Sequence, residues 1–563
     1  MRVDQHMSLA ALVAAAITAQ GGIAQAQTVV AAWIQLGPGS SAAALANGSY
    51  GDQPASLTPT ILARAVVSDG VCPALSIDGG SAVTMTLRFS ASTLTNVPGT
   101  QGATNGKTGY PQYFVSPGAT TPANFPNGTA MATTSWGECE AVVPAGHKNA
   151  VIGSTKLKLP VAAPKHILLL ADSGCRMNGA LASNGSNQQN CASPTAFPAA
   201  FLAGYEASFK PDLIVHVGDW FYRDTNCLTN GAETFPGCNT PTSVNYEPWG
   251  DIFDSWNADV FYPMQPLLAA APIIMTRGNH ESCGRGARGW YALLDPYPYT
   301  YASVSCAKTA VYPAPTGTTP IYSGDFEPTY IVPAGSVNFL VHDSSYANDS
   351  AVDKGMAANY DLDLTNVLAA VGPKSMNIFT THKPSFGLDY GADAQAGKKP
   401  GGQNNSGDFT EQAVFAGGTT ATSAFVLGVP ANIGLFLSGH IHQAQYVSFT
   451  DYLHYAPQLI VGMGGSLLDP DMNTGLVPEG NTDVADFDQK SAKFTVNTFN
   501  GVNDVAQALR TASHDEFGFA YLTAETNSLG QITGFEADIY KTGLTKAGLC
   551  HIVLSPRSIN CNF

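Results

Sequence analysis

The chain has 563 residues, 44% of them hydrophobic, enough for two or more domains and a sizeable core. Charged residues are only 12% while Gly (57) and Pro (36) are plentiful, which argues against a helical bundle and for a strand- and loop-rich protein. The formal charge is −16 and no dense Lys/Arg block is present, so nucleic acid is excluded as an expected partner; the acidity favours solubility and does not steer anionic substrates.

The first 26 residues carry an export pattern. Ser8 to Ala19 is apolar, and Ala24-Gln25-Ala26 is a small-x-small cleavage site. No other run is long and apolar enough to span a bilayer. The mature protein is therefore expected to be exported, periplasmic or secreted. Ten cysteines fit that compartment, since an even count in an exported chain favours disulfides. Neighbour pairing joins Cys72–Cys139, Cys175–Cys191, Cys227–Cys238, Cys283–Cys306 and Cys550–Cys561. Three of these pairs begin just after the chemistry-bearing segments below, where they would stiffen the loops.

Residues 27–163 alternate apolar and polar positions in short runs, such as Val29 to Leu36, Ile61 to Val67 and Ala82 to Phe89, separated by Gly, Pro, Asn and Ser. This pattern predicts an antiparallel β-sandwich domain, with its junction at Pro160 to Pro164. From residue 164 to 563 the pattern changes. Apolar runs end in polar residues, with helix-like segments between them. Ile167–Ala171, Leu213–Val217, Pro272–Met275, Val337–Val341, Met376–Phe379 and Asn432–Leu437 read as strands covered on both faces. Their C-terminal ends carry Asp172, Asp219, Asn279, His382 and His440, where α/β proteins place their sites. Residues 387–420 are Gly-rich and polar and read as a long surface loop. Residues 451–563 are strand-rich and are expected to complete the sheets.

Five segments carry the chemistry: Asp172-Ser173-Gly174, Gly218-Asp219-Trp220-Phe221-Tyr222, Gly278-Asn279-His280-Glu281, Thr381-His382 and Gly439-His440-Ile441-His442. Each has an ordinary structural explanation, since Asp often caps a helix and Asn often holds a turn. Gly-His-x-His is more specific, because its period of two puts both imidazoles on one side of an extended segment. All five in order, each at a strand end, argue against coincidence.

On these residues the chain resembles the calcineurin-like metallophosphoesterases, and within them the purple acid phosphatases. Residue 174 is glycine where most two-metal relatives carry a histidine ligand. Tyr222, three residues after Asp219, supplies the missing donor. The first segment begins with Ala171 instead of glycine, and the fourth reads Phe379-Thr-Thr-His; neither departure removes a ligand.

The resemblance implies a four-layer αββα catalytic domain after an N-terminal all-β sandwich, with two metal ions. One ion takes Asp172, Tyr222 and His442, the other Asn279, His382 and His440, and Asp219 bridges them. Hard phenolate and carboxylate donors suit Fe(III) at the first position; the amide and imidazoles suit a divalent Fe, Zn or Mn at the second. The implied reaction is hydrolysis of a small phosphate monoester by a metal-bound hydroxide, with His280 assisting the leaving group or supporting the ligands from behind. Arg176, Arg223 and Arg285 follow the metal segments closely and are candidates to clamp phosphate oxygens, although each alone reads first as a surface or structural arginine. His216 and His342 lie inside strands and read as core histidines. The same scaffold also serves phosphodiesterases and nucleotidases. A secreted binding protein is the reading from another class; it predicts decayed ligands, and all seven ligand types are present.

Overall fold

The computed structural model describes residues 29–39, 59–90, 136–177, 189–223, 248, 250–251, 253–283, 285–298, 311–312, 321–322, 325–347, 352–387, 408–417, 423, 425, 428–449, 451–468, 491–496, 504–510, 516–543 and 545–562. The export segment lies outside them, as do Cys227, Cys238 and Cys306.

Two sheets form the centre. The larger runs from edge to edge as Arg557–Asn562, Lys546–Leu554, Ile532–Lys541, Gly518–Thr526, His166–Leu170, Leu213–His216, Ile273–Met275, Val29–Gly39, Pro59–Val67, Gly137–Val143 and Thr86–Ser90. The second runs Tyr330–Ala334, Val337–His342, Met376–Thr381, Ile433–Ser438, Gln458–Val461, Ala444–Phe449, Asp504–Arg510 and Ser491–Val496. In the middle of each sheet the strands are parallel. Leu213 pairs with Ile167 and Ile214 with Ile273 in the first; Phe339 pairs with Ile378 and Phe379 with Phe436 in the second.

The period of two along these strands separates the cores. Ile167, Leu169 and Val215 face Phe339, Ile378 and Leu435 in an inter-sheet core. Leu168, Leu170 and Ile214 point the other way, into a cluster with Trp256, Leu267 and Trp290 from the helical segments. On the second sheet, Leu340, Phe379 and Phe436 pack outward against Met356, Tyr360, Leu364 and Val367 of the helix Lys354–Val371. The result is helix, sheet, sheet, helix: an α/β fold preceded by a strand-rich region. Asp353 caps the Lys354–Val371 helix by accepting from the amides of Gly355 and Met356, and Gly372, at φ 75°, ends it.

The N-terminal region is strand-rich, as the alternation implies, but its hydrogen bonding differs from that of a free-standing sandwich. Val29–Gly39 lies parallel to Ile273–Met275 through Gln35 and Ile273, and Pro59–Val67, Gly137–Val143 and Thr86–Ser90 extend the same sheet. These strands also brace the segment after Asn279 and His280. The Arg88 guanidinium donates to the carbonyls of Tyr291, Ala292, Asp295 and Tyr297, and Gln35 Nε2 to that of Leu294 at 2.5 Å. Within 387–420, expected as loop, residues Phe409–Phe415 form a helix, because Asp408 accepts from the Glu411 amide and fixes its first turn. The C-terminal strands complete both sheets.

Cys72–Cys139, Cys175–Cys191 and Cys550–Cys561 are disulfides, as neighbour pairing expected. Cys283 is also disulfide-bonded, to a partner outside the described residues. Closing a loop of the Cys175–Cys191 size is worth about 3 kcal/mol in the chain-entropy model.

Glu206 on the Ala199–Ser208 helix is fully buried, and its Oε1 meets no donor among the described residues. Burial pushes its carboxyl up to about 8. Raised above the unfolded value, it holds a proton in the fold that the unfolded chain releases, so its contribution is complete below pH ~4.5 and is lost as pH rises towards ~8. Glu206→Gln is therefore expected to gain stability over the wild type across that window, by roughly 1.4 kcal/mol per pH unit. Urea titrations of both proteins at pH 5 and pH 8 measure it; an unchanged difference refutes it.

Candidate metal centre

Parallel strands align their C-terminal ends, so the topology alone gathers the five segments at one edge between the two sheets. His166–Leu170 delivers Asp172, Leu213–His216 delivers Asp219 and Tyr222, Ile273–Met275 delivers Asn279 and His280, Met376–Thr381 delivers His382, and Ile433–Ser438 delivers His440 and His442. Three of these residues leave their strands with left-handed backbone: Asp172 at φ 58°, Asp219 at 55° and His440 at 71°. Such conformations cost about 1–3 kcal/mol each and persist where surrounding bonds enforce them.

The Tyr222 hydroxyl lies 2.5 Å from Asp172 Oδ1, 2.7 Å from Asp219 Oδ2 and 2.8 Å from His442 Nε2. Asp219 Oδ2 is also 3.2 Å from His382 Nε2, which lies 2.9 Å from Asn279 Oδ1. Asp219, His382 and His440 place one ligand atom each within 4.8 Å of one another. Two donor groups therefore meet at Asp219: Asp172, Tyr222 and His442 on one side, Asn279, His382 and His440 on the other.

Two histidines are oriented from behind. His382 Nδ1 meets the Val217 carbonyl at 2.9 Å and His442 Nδ1 the Leu467 carbonyl at 2.5 Å, which turns both Nε2 atoms into the site. This is how metal-ligating imidazoles are commonly held, the carbonyl fixing both tautomer and ring. The donor set of oxygen and nitrogen atoms, with its imidazoles already aimed, fits a pair of metal ions.

Electrostatics in the metal-free protein follow from packing these groups out of water. Burial, then the charges of Asp172 and Asp219, push the Tyr222 phenol well above its usual range. Burial opposes charge on Asp219, but His382 and His280 outweigh it and hold that carboxyl well below the usual carboxylate range. For His382 burial also opposes charge; Asp219 and Asp172 outweigh it and raise the imidazole to about 9.

Sequence reasoning missed the role of Glu281. Fully buried, its carboxylate accepts from the amides of Gly278 (2.8 Å), Asp219 (3.0 Å), Trp220 (2.9 Å) and Phe221 (2.9 Å), tying two ligand loops together. Burial and the Asp219 charge push its carboxyl up to about 8 against those donors. Arg277 adds to the brace, donating to the Glu281 carbonyl at 2.9 Å and pairing with Asp343 at 3.0 Å and with Asp325. The only sequence hint was that Glu281 closes the Gly-Asn-His-Glu segment.

The other candidates fall as follows. His280 is 6% exposed; its ring lies 3.9 Å from that of Tyr222 and its amide donates to Asp219 Oδ1 at 2.8 Å. Arg223 has its guanidinium buried against Asp259, Nε to Oδ1 at 2.6 Å, and donates to the Pro248 carbonyl, the contacts of a structural arginine. Arg176 and Arg285 are half-buried beside the ligand loops. Cys175 is tied to Cys191. His216 and His342 are fully buried, bonded to Ser173 Oγ (2.9 Å) and Thr329 Oγ1 (2.8 Å).

Gly174 has a steric reason. A Cβ there would meet the Trp220 carbonyl at 2.7 Å and both Asp259 Oδ2 and the Tyr222 amide at 2.9 Å. Gly174→Ala should push the Tyr222 loop outward and cost roughly 1–3 kcal/mol. A melting temperature equal to that of the wild type would contradict it.

A family model for calcineurin-like phosphoesterases matches residues 166–444. Among solved structures the chain is similar to a dimetal phosphatase from Danio rerio, over 69% of this chain and 99% of that one, at 9% identity and a TM-score of 0.32. No curated protein matches. By the family match, residues 166–444 are a calcineurin-like phosphoesterase domain, of a family of metal-dependent hydrolases of phosphoric esters, and they hold every donor of the site described above.

Proposed function

We propose that this protein is an exported phosphomonoesterase of the purple acid phosphatase type with a binuclear metal centre. The observation that carries the reading is the Tyr222 hydroxyl, within 2.8 Å of donor atoms on Asp172, Asp219 and His442, beside a glycine at 174. Asp172, Tyr222 and His442 would hold Fe(III); Asn279, His382 and His440 would hold a divalent Fe, Zn or Mn; Asp219 would be shared. When bound, the ions supply the charge that lowers the pKa of a water and polarises phosphoryl oxygens.

The chain's own residues do the rest. Asp219, held by Glu281 through its loop amide, keeps the two donor groups at a fixed spacing. His280, packed on the Tyr222 ring at the edge of the site, is placed to bind the ester and pass a proton to the leaving oxygen. Arg176 and Arg285 remain candidates for contacts to phosphate oxygens. Three disulfides support export.

The test is hydrolysis of p-nitrophenyl phosphate against its bis-ester, with metal quantification. Two metals per chain, preference for the monoester, and loss of activity on chelation with recovery on re-addition are expected. Preference for the bis-ester would make the protein a phosphodiesterase on the same ligands. Fewer than one metal per chain after supplementation would overturn the two-metal reading.

A further inference from the structure

One buried carboxylate outside the donor set touches both segments that shape the first ion's site. Asp259 lies in the helical segment Asn257–Phe261 and is fully buried. Its Oδ2 accepts from the Tyr222 amide at 3.2 Å. Its Oδ1 is paired with Arg223 Nε at 2.6 Å, and both side chains are shielded from water. Arg223 is itself anchored by the Pro248 carbonyl at 3.1 Å. Asp259 Oδ2 also stands 2.9 Å from where a side chain at position 174 would begin.

From this geometry we infer that Asp259, fixed by Arg223, is a positioning residue for Tyr222. It sets where the phenol enters the metal centre, and by filling the space beside position 174 it excludes a side-chain donor there. The physical logic is that one carboxylate, holding the Tyr222 amide while standing against position 174, fixes the spacing of the two loops. Gly174 follows Asp172 and Tyr222 ends the Asp219 loop, so a shift of either segment moves a ligand. The two loops are stitched further by Ser173 N to Asp219 O (3.0 Å) and Met177 N to Tyr222 O (2.9 Å), and the Asp259 carboxylate adds a side-chain acceptor for the Tyr222 amide. Arg223 keeps that carboxylate aimed, because removing either partner of a buried ion pair leaves the other uncompensated. Asp259 does not touch the ligand atoms themselves; it acts through the backbone of Tyr222.

The inference rests on the two-metal reading, and its test separates the two. Two variants are compared with the wild type: Asp259→Asn, and Asp259→Asn/Arg223→Met, which removes both charges and leaves no unpaired ion in the core. Chelator competition measures the affinity of each metal, absorption of iron-loaded protein reports the tyrosinate, and thermal unfolding reports the fold. Expected is a loss of about 10- to 100-fold in affinity for the ion held by Tyr222, with a shifted or weakened absorption band, while the second ion is retained. Wild-type affinity and an unchanged band in the folded double variant would overturn the inference. So would equal loss of both ions in step with a lowered melting temperature, which marks a merely structural residue. A wild type that binds fewer than one metal sinks the two-metal reading, and this inference with it; a wild type that binds two leaves Asp259 to stand or fall alone.

Discussion

Tyr222→Phe is expected to leave the iron-loaded protein colourless and to weaken its first metal by more than ~100-fold, beyond what loss of an outer-shell partner typically costs. The phenol is 1% exposed and wedged between Asp172 and Asp219, whose charges disfavour its ionisation in the metal-free protein. A bound cation of high charge density, with Asp172 and Asp219 among its ligands, would reverse that balance and favour the phenolate over the phenol. Phenylalanine keeps the ring and its contact with His280, so the fold should survive and the loss should fall on the metal. The second ion, held by Asn279, His382 and His440, should remain. A visible band that persists in Tyr222→Phe would remove the purple subtype while leaving a two-metal site in place.

Glu281→Ala is expected to have the largest effect on the fold around the site. Four buried backbone amides would lose their acceptor. Each buried donor left unpaired costs about 1–3 kcal/mol, and with partial relaxation a total of about 4 kcal/mol or more follows. Two of those amides, on Asp219 and Gly278, set the bridging carboxylate and the entry to Asn279, so both metals should weaken together. Glu281→Gln should cost less but is not neutral, because its NH2 group would face donors. Denaturant titration with metal quantification on all three proteins checks this; wild-type stability and metal content in Glu281→Ala would show that the amides find other partners.

Much of the site was legible because its donors are local in sequence. Each follows a buried strand within a few residues, and parallel strands bring their ends to one edge without further instruction. Gly-His-x-His stated its own geometry through the period of two. Where Arg223 points was not legible: the sequence left a phosphate contact and a structural role open, and only the approach of Asp259, on a segment about three dozen residues later, shows where the guanidinium lies. Glu281 was visible as a letter in a motif, but an acceptor's worth depends on which amides surround it, and three of its four belong to another loop.

The sequence by itself determined the fold class, the strand-end segments, the donor types and three disulfides, because alternation, strand length and residue chemistry are local properties. Tertiary structure alone decided that the N-terminal strands share a sheet with the catalytic ones. Alternating runs look the same in a sandwich and at the edge of a larger sheet, and the Gln35–Ile273 pairing that separates the two spans more than two hundred residues. It also decided why position 174 is glycine. The space a side chain would need there is filled by the Trp220 carbonyl, the Tyr222 amide and Asp259, and no local pattern encodes a volume that two distant segments occupy together.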